Sequence, residues 1–139
     1  MLASAVNAEI VGSVDTTFKM IGANDKIVIE AFDDQVVGGV SCYLSRAKTG
    51  GVMGSVNLAE DTSDAALSCL QAGKITIPAD MEDGEDVFEK STSIFFKSMK
   101  VKRFHDKKRD VLIYLVYSTK IIDGSPKNAV ATVPVRPWK

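Results

Sequence analysis

Two stretches in the first half of the chain alternate apolar and polar side chains with the two-residue period of a β-strand. They run from Lys26 to Phe32 and from Val40 to Ser45. Between them, Asp33-Asp34-Gln35 and Gly38-Gly39 supply residue types that favour a turn. The pattern predicts an antiparallel hairpin, with Cys42 on the apolar face of its second strand.

The second half of the chain contains a continuous apolar run from Val111 to Tyr117. Such a run is typical of a central strand that is covered on both faces. The chain from Phe88 to Arg103 also favours strand. Lys97 falls on the same face as apolar neighbours there, which indicates a bulge near Lys97 or Ser98.

Two segments carry helix signals. Capping and acidic residues precede Ala65 and Cys69, which are one helical turn apart, and predict a helix over about residues 61–72. Ser125-Pro126 fits the first positions of a short helix over about residues 126–132. The predicted fold class is therefore α+β, with an antiparallel sheet as its main element.

Length and composition describe one ordinary globular domain, because the 139 residues are 45% hydrophobic and 25% charged. The formal net charge of -1 provides no global basic field for nucleic acid. No apolar run reaches the length of about 18 residues that would suggest a membrane span. We expect a single domain over residues 9–139, without a cofactor or a metal site.

The N-terminal residues 1–8 are predicted to be the remnant of a signal peptide. Val6-Asn7-Ala8 places small residues at the two positions that a signal peptidase reads, so the mature chain would begin at Glu9. The alternative is an ordinary tail of small residues.

The chain has two cysteines, Cys42 and Cys69, so only one pairing is available. They lack the Cys-x-x-Cys spacing of a redox motif, and one histidine cannot complete a zinc site with them. In an oxidising compartment such a pair favours a structural disulfide. Two buried free thiols are the alternative.

The loop after the second strand is a candidate site for an anion or a partner. Alternation places its two cations on one face, and glycines let backbone N–H groups face a ligand. An ordinary turn is the alternative. The candidate residues are Arg46, Lys48, Thr49, Gly50 and Gly51.

A second cluster of cations, interleaved with phenylalanine, is a candidate basic patch for an acidic partner. A solvated sheet face, neutralised by the acidic stretch from Asp80 to Glu89, is the alternative. His105, the one histidine, is interpreted as a solvated turn residue beside Asp106 rather than a general base. The patch comprises Lys100, Lys102, Arg103, Lys107, Lys108 and Arg109.

Several phrases of the sequence are specific enough to indicate a family. They include Gly12-Ser13-Val14-Asp15, Glu30-Ala31-Phe32-Asp33-Asp34, Cys42-Tyr43, Ser45-Arg46-Ala47-Lys48-Thr49-Gly50-Gly51, Leu58-Ala59-Glu60-Asp61-Thr62-Ser63-Asp64-Ala65, Gly124-Ser125-Pro126-Lys127-Asn128-Ala129 and Pro137-Trp138. From about Ile10 to Trp138 the chain resembles the CreA family, small exported proteins of Gram-negative bacteria. The resemblance implies a periplasmic location and both half-cystines, and it carries over no catalytic residues.

We expect a non-catalytic periplasmic binding or interaction protein whose partner is a small anion or an acidic protein. The alternative is a hydrolase built from scattered carboxylates. Two of these carboxylates facing each other across a cleft would favour the enzyme. The carboxylates are Asp15, Glu30, Asp33, Asp34, Glu60 and Asp61.

Overall fold

The structure, a computed structural model, describes residues 8–16, 26–48, 65–87, 99–119 and 126–139. Strands are the regular elements in this part of the chain. They are β1 (Glu9–Asp15), β2 (Lys26–Asp33), β3 (Gly38–Lys48), β4 (Ala65–Thr76), β5 (Glu85–Asp86), β6 (Met99–Asp106), β7 (Val111–Ser118) and β8 (Asn128–Pro134).

The strands form two antiparallel sheets of four, in the orders β1-β2-β3-β4 and β5-β6-β7-β8. The predicted hairpin is confirmed as β2 and β3, which pair from Lys26 opposite Lys48 to Asp33 opposite Ser41. The predicted central strand is β7, which pairs with β6 on one side and β8 on the other.

The predicted α+β class is wrong, because the described residues contain no helix and the fold is mostly β. The part of the predicted 61–72 helix that the structure describes belongs to β4, which pairs with β3. Exposure along β4 alternates at every residue, with Leu67, Cys69 and Gln71 on the less exposed face. This is the period of a strand, and pairing with β3 outweighs the low strand propensity of the alanines.

The predicted helix over 126–132 is also wrong, since this segment leads into β8. Ala129, Ala131 and Val133 alternate with exposed neighbours and turn toward the core. The apolar strand β7 has two sides that need backbone partners, and β8 satisfies the side that β6 leaves open.

The core is built from the inner faces of both sheets. Its buried side chains include Phe32, Val40 and Leu44 from the first sheet and Val101, Leu112, Tyr114, Val116 and Val133 from the second. A disulfide with an S–S distance of 2.10 Å joins Cys42 of β3 to Cys69, its direct register partner on β4. The described residues contain no helix long and apolar enough to cross a membrane. The bulge predicted near Lys97 or Ser98 lies outside the described residues.

Candidate functional site

Arg46, the first residue of the candidate anion loop, is buried in the first sheet. Its side chain is 1% exposed, and its Nε donates to Glu30 Oε1 at 3.1 Å. Burial lowers the pKa of Arg46, and the hydrogen bond and charge of Glu30 act against that shift. Arg46 shares the inner face of β3 with Cys42 and Leu44, so its charge is directed at Glu30 and away from the outer surface.

The structure does not bring the rest of this candidate site together. Thr49, Gly50 and Gly51 lie outside the described residues, and of Lys48 it describes only the backbone. An open groove of about 350 Å³ lies beside Arg46, at the end of the first sheet where β2 and β4 begin and β3 ends. It is lined by Ile27, Ser45, Arg46, Ala47, Ala65 and Ala66.

Arg103, assigned by sequence to the basic patch, is instead fully buried between the two sheets. Its Nη1 lies 3.0 Å from each carboxylate oxygen of Asp34, in the turn between β2 and β3. Its Nη2 donates to Glu85 Oε1 at 2.9 Å, and its Nε lies 3.3 Å from Met81 Sδ. A cation taken out of water needs such partners, because an unpaired buried charge is costly.

Asp34 completes this cluster with partners from three segments. Its Oδ2 accepts the Tyr114 hydroxyl at 2.7 Å, and its Oδ1 accepts the backbone N–H groups of Val36 at 2.9 Å and Val37 at 3.0 Å. Burial raises the pKa of Tyr114, and the charge of Asp34 raises it further. The cluster fixes the β2–β3 turn of one sheet to β6 and β7 of the other.

These contacts remove two of the carboxylates that the hydrolase alternative needs. Glu30 and Asp34 are buried, and each faces an arginine rather than a second carboxylate. Asp15 and Asp33 are exposed, and Asp33 accepts the Ser41 hydroxyl at 2.6 Å. Glu60 and Asp61 lie outside the described residues. In the described part, no three His, Cys, Asp or Glu side chains are grouped to hold a metal ion.

The remaining cations of the basic patch divide into paired and exposed side chains. Lys102 Nζ lies 3.0 Å from Asp86 Oδ1 on β5, and this hydrogen bond raises the pKa of Lys102. The acidic stretch that sequence placed nearby therefore neutralises part of the patch. Lys100, Lys107 and Lys108 are exposed.

Lys107 and Lys108 lie in the turn between β6 and β7, which we call the hairpin tip (residues 107–110). Arg109 Nη1 donates to Asp106 Oδ2 at 2.9 Å, and the Arg109 backbone N–H donates to Asp106 Oδ1 at 3.3 Å. The side-chain hydrogen bond from Arg109 lowers the pKa of Asp106. The Arg109 side chain is 67% exposed, so it lies at the surface next to the two lysines.

Asp110 closes the hairpin tip in a left-handed backbone conformation, with a φ of 54°. Residues with a side chain rarely adopt this conformation, so surrounding contacts must hold it. His105 Nε2 lies 2.9 Å from Asp110 Oδ1, and the Asp110 carbonyl accepts the Val135 N–H at 3.0 Å. His105 is the penultimate residue of β6 and contacts Asp110, whereas the sequence placed it in the turn beside Asp106.

Sequence reasoning missed the roles of Arg103, Asp34 and Tyr114 in one cluster. Arg103 is 69 residues from Asp34, and Tyr114 is 80 residues from it. No local motif reports such a contact. The inward position of Arg46 did leave a signal, because it continues the alternation of Cys42 and Leu44.

The fold and its polar contacts define a class of protein: two antiparallel sheets joined by a buried arginine cluster and carrying one disulfide. A family model described as CreA protein matches residues 11–138. Two relatives named Protein CreA, from Escherichia coli K12 and O157:H7, are each 57% identical over 143 aligned residues, covering 100% of this chain and 91% of the relative. The chain belongs to the CreA family. No solved structure matches it.

Proposed function

We propose that this CreA-family protein is a periplasmic, non-catalytic interaction protein that binds an acidic partner protein through the hairpin tip. The observation that carries the proposal is the construction of the tip. Its two lysines, Lys107 and Lys108, are exposed, while hydrogen bonds from Arg109 to Asp106 and from the Val135 N–H to the Asp110 carbonyl fix the turn that bears them. Because the backbone of the turn is held in one conformation, little further backbone entropy is lost on binding.

The distribution of charge supports the same choice of surface. Arg46 and Arg103 are buried with carboxylates, and Lys102 is paired with Asp86, so these cations are used within the fold. Lys107 and Lys108 lie beyond the last residue pair of β6 and β7, Asp106 opposite Val111. Exposed lysines steer an acidic partner and set the association rate more than they set the final affinity.

The disulfide supports the periplasmic part of the proposal. Disulfides form and persist in oxidising compartments such as the bacterial periplasm and are rare in the cytosol. The Cys42–Cys69 bond joins neighbouring strands within the fold, as a structural disulfide does. Expression from the full gene should place the protein in the periplasmic fraction, with no thiol available to alkylation. Recovery in the cytosol with two free thiols would contradict this location.

The binding part is tested by capture of proteins from a periplasmic extract. The test variant is Lys107→Glu/Lys108→Glu, and the control is Lys74→Glu/Lys139→Glu, which makes the same charge change at two exposed lysines elsewhere. We expect an acidic protein that the wild type and the control capture equally and the tip variant loses. Its association rate should fall steeply as salt is added. Equal capture by the tip and control variants would refute the proposal.

A further inference from the structure

Strand β1 is an edge strand of the first sheet. It pairs with β2 on one side, and in the part of the chain that the structure describes no strand pairs with its other side. Six of its seven residues are exposed. An edge strand of this kind presents a row of backbone N–H and C=O groups that another extended chain can pair with.

The outward-facing side chains between the two acidic ends of this edge, Glu9 and Asp15, are apolar. Val14 is 63% exposed, and it lies opposite Ile27, which is 42% exposed. The next outward-facing pair is Gly12 opposite Ile29, which is 38% exposed. Neither lysine nor proline, two residue types that commonly block edge pairing, occurs in β1. We call Gly12, Val14, Ile27 and Ile29 the edge strip.

Gly12 leaves a gap in the edge strip. A Cβ built at this position would have no atom within 4 Å, so the flank of Ile29 is uncovered there. On a sheet, a large side chain from the adjacent strand can cover such a glycine and contact the residue beyond it. The register of β1 with β2 is regular from Gly12 to Asp15, beyond the irregularity between Ile10 and Gly12. This stretch is long enough for a short strand to pair.

We propose that β1 binds an extended segment of a partner protein as an added strand of the first sheet. The segment has a large apolar or aromatic residue opposite Gly12, an apolar residue opposite Val14, and basic residues near its ends to face Glu9 and Asp15. Main-chain hydrogen bonds supply the affinity in this mode of recognition, and alternate side chains supply the specificity. This surface lies on the other sheet from the hairpin tip and rests on separate observations.

In the register centred on Gly12, a second copy of β1 is a poor occupant of this edge. An antiparallel pairing about Gly12 would place glycine opposite glycine and leave both gaps unfilled. It would also bring Asp15 of one copy to Glu9 of the other, and like charges directly opposite destabilise a strand pair. A partner segment with basic ends has neither defect.

The experiment uses the whole protein and a short synthetic peptide, Lys-Val-Thr-Phe-Thr-Val-Lys, followed by amide NMR and hydrogen exchange. We expect saturable shifts in the amides of Gly12 to Asp15 and Ile29, with slower exchange along β1. A peptide with both threonines replaced by proline should not bind, because proline cannot donate to the ladder. A peptide with glutamate at both ends should bind more weakly than the lysine peptide.

The matched variants are Val14→Lys on β1 and Val130→Lys on β8. Each replaces a valine with lysine, and the two valines have similar exposures of 63% and 58%. Val14→Lys should weaken peptide binding about tenfold or more, because lysine on an edge strand opposes strand addition. Val130→Lys should leave it unchanged. Four outcomes would each overturn the proposal. The two variants could weaken peptide binding equally, or the β1 amides could show no shifts. The β1 amides could already be protected from exchange in the free protein, or the protein could self-associate through β1 as its concentration rises.

Discussion

Replacing Asp34 with asparagine should destabilise the protein far more than the same change at its neighbour. Asparagine keeps the shape of the side chain and an oxygen that can accept the Val36 and Val37 N–H groups. It removes the charge and replaces Oδ2, which accepts from Arg103 and Tyr114, with an N–H donor. Asp34 and Arg103 both have 0% exposed side chains, so the variant leaves a buried cation with Glu85, itself 40% exposed, as its remaining carboxylate. Removing one partner of a buried ion pair costs about 3 to 5 kcal/mol, and we expect the lower end because Glu85 remains.

The assay is urea unfolding at neutral pH with the disulfide intact, in which the midpoint and slope give the free energy of unfolding. Asp33→Asn is the control, because Asp33 is exposed and surface changes usually stay within about 0.5 kcal/mol. Tyr114→Phe should cost about 1.5 to 3 kcal/mol, the range for a hydrogen bond to a charged group. The double variant should cost less than the sum, because both changes act on one cluster. A loss for Asp34→Asn no larger than that for Asp33→Asn would refute the role assigned to the cluster.

Three further outcomes are expected. Cys42→Ala/Cys69→Ala should lower the free energy of unfolding by on the order of 3.5 kcal/mol in urea, since the cysteines are 27 residues apart, and an unchanged midpoint would contradict this. Because burial raises the pKa of Tyr114, the hydroxyl loses its proton at a lower pH in the unfolded chain than in the folded protein. The free energy of unfolding should therefore fall as the pH rises above about 10. At such a pH, tyrosinate absorbance should rise on unfolding in the wild type, and Tyr114→Phe should lack this rise. Arg109→Ala should return the pKa of Asp106 toward its ordinary value in an NMR titration. In the wild type, the stability that this hydrogen bond contributes is lost as the pH falls through the lowered pKa of Asp106.

The strands that sequence predicted correctly are those in which periodicity and turn chemistry agree. The β2–β3 hairpin has alternating side chains on both strands, and its turn contains Asp34, whose carboxylate accepts two backbone N–H groups of that turn. The apolar run of β7 does not alternate with polar residues, so burial as a central strand between β6 and β8 is favourable. Each of these features is local and can therefore be predicted from a single sequence.

The prediction of a helix over about residues 61–72 failed because a run of small apolar residues fits two periods. In β4, Ala65 and Cys69 are four apart and share a helical face, but Ala65, Leu67 and Cys69 also share a strand face. The run from Ala65 to Leu70 is too short for local signals to decide between the two periods. The decision comes from β3, which offers a complete ladder and sets Cys69 opposite Cys42.

The buried cations among the described residues are arginines for a chemical reason, and this affects how cation clusters in a sequence are interpreted. A guanidinium presents a planar set of donors and is less strongly hydrated than an ammonium, so it tolerates burial when carboxylates surround it. Arg46 and Arg103 are buried in this way, whereas Lys107 and Lys108 are exposed at the hairpin tip. Counting both residue types together made the region around Arg103 look like one continuous basic patch. Alternation places Arg103 with the inward-facing Met99 and Val101, which already marks it as a partner for a buried carboxylate rather than for an external ligand.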